Sequence, residues 1–157
     1  MSELVTALNR AYFYLQFRAR TRWEMEQYLT KKAIHYGWKK ETVDEALDSL
    51  REEGLVNDVS FIELYVEDRN RNKPKTEFVL QQELMRKGVD KELIHSYFSE
   101  HPQDQEPLAV QALQSKIRQW QHLPAEERFQ KATAFLGRRG FSYTTIKKAV
   151  AQLKETK

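Results

Sequence analysis

The residues of this sequence with the clearest chemical potential are cations in repeated patterns. Three arginines alternate within residues 18–22, and four cations alternate within residues 69–75. In an extended backbone, alternate side chains point to the same side, so such a row can contact successive phosphates or carboxylates. We therefore predict that these cations, with two further basic pairs, bind a polyanion or an acidic protein surface. The predicted binding residues are Arg18, Arg20, Arg22, Arg69, Arg71, Lys73, Lys75, Arg86, Lys87, Arg138 and Arg139.

The same cations have a structural interpretation. Charged residues between helices keep a surface solvated, and a cation in the last turn of a helix complements the helix dipole. Under this alternative, Arg69 would pair with Glu63 or Asp68 and steady the end of a helix. The recurrence of cations near the same point of two internal repeats favours the binding hypothesis.

Residues suited to catalysis or metal binding are scattered. The chain has no cysteine, and His35, His95, His101 and His122 form no metal-binding pair at helical spacing. Its five glycines never cluster into a loop that would cradle a phosphate. The dense acids of residues 41–53 follow helical spacing and indicate a solvated helix surface. We expect no enzyme activity, no cofactor, no metal ion and no small-molecule substrate.

The charge of the chain is unevenly distributed. Its 157 residues carry a net charge of +3, yet residues 41–68 contain ten acidic residues and one arginine. Basic and acidic faces of this kind can bind partners of opposite charge. No apolar run approaches the roughly 20 residues of a membrane span, and Glu3 argues against a secretory leader. We therefore expect a cytoplasmic protein that does not bind membranes.

Internal similarity organises the chain into repeats. When Gly37, Gly88 and Gly140 are aligned, apolar residues coincide at the same positions before and after each glycine, at offsets of 51 and 52 residues. The apolar spacing predicts a helix before each glycine, and glycine suits the left-handed position that ends a helix. A second helix follows each of these structural turns. The residues predicted to cap these second helices are Lys39, Asp90 and Ser142.

A further amphipathic helix precedes each pair, so each copy is predicted to contain three helices. Thr21 and Glu24 have the spacing of a capping box at the start of one of them. We predict an all-α fold of three tandem three-helix, helix–turn–helix-like repeats that form a curved, elongated solenoid. The predicted repeat domains are residues 1–54, 55–101 and 102–157.

Motifs in all three repeats of the chain resemble the bacterial RecX family. Residues 54–61 (GLVNDVSF) and 83–89 (ELMRKGV) are similar to the family elements G-L-[LIV]-[DN]-D-x-x-F and E-L-x-x-K-G-[IV]. Residues 18–25 (RARTRWEM) stand where the family usually has R-x-R-S-x-x-E-L, and residues 135–141 (FLGRRGF) resemble F-L-x-R-R-G-F. The departures, such as Met25 in place of leucine, are modest.

The resemblance implies a regulator of the RecA recombinase. RecX proteins bind RecA, chiefly as its filament on single-stranded DNA, and lie in the filament groove. They limit filament extension and reduce the ATPase, strand-exchange and co-protease activities of RecA, and some members also bind DNA. The resemblance therefore implies an all-α, non-enzymatic protein that acts in recombination, DNA repair and the SOS response.

Two other functions stay open from the residues alone. A helix–turn–helix DNA-binding regulator would insert the helix after each glycine into a DNA groove. Those helices begin KKE, DKE and SYT, which is no consistent base-reading set. A generic helical-repeat scaffold is the other alternative, although the repeat is longer than the roughly 34 residues of a tetratricopeptide repeat. Sequence-specific DNA binding without RecA would favour the first, and a broad set of partners without RecA the second.

Overall fold

The computed structural model describes the backbone of residues 2–72 and 75–155. These residues form ten helices and no strand, which confirms the predicted all-α class. Within them, no helix is both long and apolar enough to cross a membrane. The helices are α1 Glu3–Leu15, α2 Arg22–Tyr36, α3 Lys40–Glu52, α4 Asp58–Asn72, α5 Glu77–Arg86, α6 Lys91–Glu100, α7 Gln105–Gln114, α8 Ile117–Trp120, α9 Ala125–Arg138 and α10 Tyr143–Glu155.

Side-chain caps determine where the helices start. The Thr21 hydroxyl accepts a hydrogen bond from the Glu24 N–H, and the Glu24 carboxylate accepts one from the Thr21 N–H, so the predicted capping box is confirmed. Asp90 and Ser142 accept backbone hydrogen bonds at the starts of α6 and α10. Lys39 precedes α3 without a side-chain cap, because an ammonium group has no acceptor to offer.

The three repeat glycines end α2, α5 and α9. Gly37, Gly88 and Gly140 have φ angles of 75°, 85° and 93°. Residues with a Cβ disfavour this left-handed region. In each turn, the N–H of the next residue donates to a carbonyl five residues earlier, which is the Schellman arrangement of a helix end.

The first helix of the third repeat is shorter than its apolar pattern predicts. The stripe from Leu108 to Ile117 predicts one helix, but α7 ends at Gln114 and the short α8 begins at Ile117. Between them the Ser115 hydroxyl donates to the Ala112 carbonyl at 2.7 Å. Such local side-chain bonds compete with the backbone ladder and favour a helix end.

The chain groups into two compact units. The first contains Met1–Leu64 with Leu84–Tyr97, and the second contains Tyr65–Glu83 with Phe98–Lys157. Helices α4, α5 and α6 therefore each contribute residues to both units. The repeat boundaries expected after residues 54 and 101 stay a prediction.

Each unit has its own apolar core. In the first unit, α1 packs on α3 through small side chains, because Ala7 and Ala11 allow close approach. The buried core residues of the first unit are Ala7, Ala11, Met25, Leu29, Ala33, Val43, Ala46, Leu47, Leu50 and Val56. In the second unit, α7 packs on α10, and α9 completes a core that includes Leu113, Leu136 and Ile146.

Candidate functional site

The three arginines predicted near the start of α2 have different partners. Arg18 makes a two-pronged ion pair with Glu24, with Nη1–Oε1 at 3.0 Å and Nη2–Oε2 at 2.5 Å. The Arg20 guanidinium lies 3.7 Å from the Tyr14 ring centroid and donates to the Tyr14 carbonyl. The Arg22 side chain is exposed. Arg18 is thus neutralised by its partner, whereas an aromatic ring leaves the charge of Arg20 intact.

Glu24 links the capping box to Arg18. Partial burial raises the pKa of Glu24, but hydrogen bonds from Arg18 and from the Thr21 N–H, with the charges of Arg18 and Lys87, outweigh burial. The pKa of this carboxyl therefore lies below its ordinary value. A carboxylate with a lowered folded-state pKa stabilises the fold above its unfolded pKa, and that contribution is lost as the pH falls through the folded pKa.

Glu24→Gln should therefore make the free energy of unfolding depend less on pH in the acidic range. Glutamine keeps a capping acceptor but cannot carry the charge that Arg18 stabilises. The variant should be less stable than the parent at about pH 7, and the difference should vanish as the pH falls from about 5 through the folded pKa. Urea unfolding over a pH series measures this. The matched control is Glu26→Gln on the same helix, and a Glu24→Gln difference that stays constant with pH would contradict the assignment.

A buried contact joins the start of α2 to the end of α5. Thr21 is 0% exposed, and its hydroxyl donates to the Lys87 carbonyl at 2.6 Å. A Cβ on Gly88 would lie 2.3 Å from the Cβ of Trp23. We call this hydrogen bond and this close approach the first threonine junction. It places Lys87, whose charge acts on Glu24, beside the start of α2.

A second threonine junction has the same parts. Thr76 is 2% exposed and accepts from the Val79 N–H at the start of α5. Its hydroxyl donates to the Arg139 carbonyl at 3.1 Å, and a Cβ on Gly140 would lie 2.6 Å from the Thr76 Oγ1. Both junctions therefore combine a buried capping threonine with the carbonyl that precedes a left-handed glycine.

The alternating row of cations predicted around the end of α4 does not form. Helix α4 continues to Asn72, so Arg69 and Arg71 are helical and, two residues apart, lie on different sides of the helix. The physical reason is that α4 contains no glycine or proline that would end it earlier. Lys73 lies outside the described residues, and Lys75 is half-buried just before α5.

Arg69 has a structural partner on the next helix. Its guanidinium forms an ion pair with Glu83 of α5, and this hydrogen bond raises the pKa of Arg69. The sequence suggests Glu63 or Asp68 as the partner, and both suggestions are wrong because a residue 14 positions away occupies that place. Arg71 is exposed in the same last turn.

The basic pair at the end of α9 lies beside two lysines that sequence reasoning missed. Arg138 is exposed, and the Arg139 guanidinium lies 4.5 Å from the Phe135 ring centroid. The Lys116 ammonium lies 5.7 Å from the same centroid. Lys131 precedes Phe135 by four residues and Arg138 follows it by three, so all three share one helix face. Two cations and an aromatic residue at this helical spacing were the signal in the sequence that could have identified Lys131.

Family models match all three repeats. Residues 7–50 match the model described as RecX, first three-helix domain; residues 57–96 match the second three-helix domain; and residues 104–150 match the third. The chain belongs to the RecX family. Each of the three RecX domains contains one of the left-handed glycines.

Curated relatives carry the name Regulatory protein RecX. The relative from Bacillus cytotoxicus is 30% identical over 156 residues, which cover 99% of this chain and 56% of the relative. The relative from Chlorobium limicola is 31% identical over 142 residues, which cover 90% of this chain and 86% of the relative. The chain therefore spans about half the length of the Bacillus RecX and most of the Chlorobium RecX.

Solved RecX structures share the fold. A crystal structure of RecX from Lactobacillus salivarius gives a TM-score of 0.81 at 24% identity and covers 97% of both chains. A crystal structure of a regulatory protein RecX gives a TM-score of 0.70 at 25% identity, with 92% of this chain and 70% of that chain covered. These likenesses show that the chain has the all-α fold of these RecX structures.

Proposed function

We propose that this chain binds RecA, chiefly as its filament on single-stranded DNA, and limits filament extension. The result is a lower ATPase, strand-exchange and co-protease activity of RecA, and hence control over recombination and DNA repair. The observation that carries the proposal is the ordered match of all three RecX domains. RecA is the proposed partner because the sequence resembles the RecX family, whose members act on that filament.

The charged surfaces supply a physical basis for binding. Arg22, Arg71 and Arg86 are exposed, and no ion pair to any of the three is recorded among residues 2–72 and 75–153. Such cations suit phosphates or acidic protein surfaces, and the exposed acids of α3 suit basic ones. A protein that binds one state of a filament more tightly than another shifts the population toward that state, so regulation requires no chemical step.

The proposed role is non-enzymatic and cytoplasmic. The relatives are named as regulatory proteins, and a partner that assembles on DNA places the protein with the chromosome. Binding that discriminates between filament states is sufficient for the proposed effect, so no catalytic residue is assigned.

The purified protein should lower the DNA-dependent ATPase of RecA when added well below one molecule per RecA, because one molecule that limits the extension of a filament affects many subunits. Alone, it should hydrolyse no ATP. A coupled ATPase assay with RecA and single-stranded DNA measures both quantities. Undiminished RecA turnover at excess protein would overturn the proposal, and intrinsic ATP turnover that survives repurification would overturn its non-enzymatic part.

Charge variants connect this effect to the exposed cations. The test variant replaces Arg22, Arg71 and Arg86 with serine, and the control replaces three other exposed cations, Lys40, Lys91 and Lys148. We expect filament affinity to fall at least about tenfold in the test variant only. If phosphates are the target, the slope of log affinity against log salt concentration should also become shallower by about two. Equal losses in both variants would mean that only net charge matters.

A further inference from the structure

A cleft of about 600 Å³ lies on the third RecX domain, between α8 and α9. Its volume falls within the roughly 300–1,000 Å³ of small-molecule sites. Four cations and two aromatic rings make up most of its wall. They are Lys116, Lys131, Arg138, Arg139, Trp120 and Phe135.

The cleft concentrates positive charge without compensation. Its lining contains no carboxylate. Across residues 2–72 and 75–153, no ion pair to any of its four cations is recorded. Lys116 and Arg139 instead lie over the Phe135 ring, at 5.7 and 4.5 Å from its centroid. A ring holds a cation in place but leaves its charge available to a ligand.

The positions of α8 and α9 bring the four cations to the same cleft. Lys131 and Arg138 are seven residues apart on α9, which is two turns along one face. Arg139 follows α9 directly, and Lys116 comes from the residue before α8 on the opposite wall. Holding four like charges around one cleft is unfavourable for the free protein, and a ligand of matching negative charge relieves this repulsion.

We propose that this cleft binds an oligophosphate, that is, three or more linked phosphates, either free or as the tail of a nucleoside triphosphate. Three linked phosphates carry roughly four negative charges at neutral pH on the oxygens of adjacent phosphate groups. A nucleic-acid strand carries about one charge per nucleotide, so it would present fewer charges to a cleft of this size. The charge density of the oligophosphate is therefore the better match.

Side chains replace a glycine loop at this site. The sequence lacks the glycine-rich loop of common nucleotide sites, but arginine forks and lysine ammonium groups bind phosphate oxygens directly. The partly exposed Trp120 ring gives the wall an apolar side on which a base can rest. The site requires neither RecA nor DNA, so it goes beyond the proposed function and can be tested without it.

Calorimetric titration of the purified chain with sodium tripolyphosphate, and separately with ATP, both without magnesium, tests the proposal at about 150 mM salt. We expect saturable binding with a dissociation constant in the micromolar range. ATP that binds more tightly than tripolyphosphate would identify a nucleoside triphosphate as the ligand. Equal affinities would identify the phosphate chain alone, and both results support the site.

The decisive variant is Lys131→Ser with Arg138→Ser, and the matched control is Lys147→Ser with Lys148→Ser on α10. All four side chains are exposed, so both double variants should fold. We expect affinity to fall about 100-fold in the first variant, at about tenfold for each lost charged contact, and less than about twofold in the control. Should circular dichroism show that the first variant is unfolded, Lys131→Ser alone against Lys147→Ser makes the same comparison, with about a tenfold loss expected.

Three results would overturn the proposal. The first is no saturable binding of either ligand up to about 1 mM, where a site of matched charge would be filled. The second is an equal loss of affinity in the cleft variant and its control. The third is tighter binding of a thymidine oligonucleotide of equal total charge, which would assign the cleft to a nucleic-acid strand.

Discussion

Gly88→Ala is expected to lower the free energy of unfolding by about 2–5 kcal/mol, because two costs combine. The φ angle of 85° at this position costs a residue with a Cβ about 1–2 kcal/mol. The new methyl group would also lie 2.3 Å from the Cβ of Trp23, an atom fixed to the backbone of α2. Relief of that overlap requires α2 and α5 to separate, which typically costs about 1–3 kcal/mol.

Gly37→Ala is the matched control for this experiment. Gly37 has a φ angle of 75°, but a Cβ there would meet nothing within 4 Å. It should therefore show only the backbone cost of about 1–2 kcal/mol. Urea or thermal unfolding of the two variants separates the contributions. If both lose the same stability, the close approach of Gly88 to Trp23 does not stabilise the protein.

Thr21→Val should be the second large loss, at about 2–4 kcal/mol. Valine preserves the shape of threonine but removes its hydroxyl, which both caps α2 and donates to the Lys87 carbonyl. Loss of the cap costs about 1 kcal/mol, and loss of the part-buried hydrogen bond to the Lys87 carbonyl costs about 1–3 kcal/mol more. The measurement is the free energy of unfolding in urea.

Thr21→Ser distinguishes the hydrogen bonds from the packing. Serine keeps the hydroxyl and loses one buried methyl group, so it should cost only about 1 kcal/mol. A loss in the valine variant no larger than that in the serine variant would show that the two hydrogen bonds of the hydroxyl contribute little to stability.

Local sequence signals predicted much of the fold because helix ends are local. The box of Thr21 and Glu24, the caps at Asp90 and Ser142 and the turn at Gly88 each involve residues a few positions apart, and all of these features occur. The partner of the Thr21 hydroxyl is 66 residues away, so no local pattern points to it. The same distinction applies to the wider site.

The candidate site was less predictable because its geometry depends on helix length. The alternating row required Arg69 and Arg71 to be extended, and the continuation of α4 to Asn72 places them on different sides of the helix. Lys116 and Lys131 reach one cleft only because α8 and α9 pack around the Phe135 ring. Neither the termination of α4 nor that packing is encoded at a single position.

The threonine junctions also make the order of the domains matter. Thr21 and Thr76 stand immediately before α2 and α5, but Pro124 stands at the corresponding position before α9 and offers no hydroxyl. If gene segments for these domains were shuffled so that the third preceded another, the next domain would lack a hydroxyl donor for the carbonyl before its glycine. The three domains are therefore not interchangeable, because only the first two supply a threonine hydroxyl to the domain that follows them.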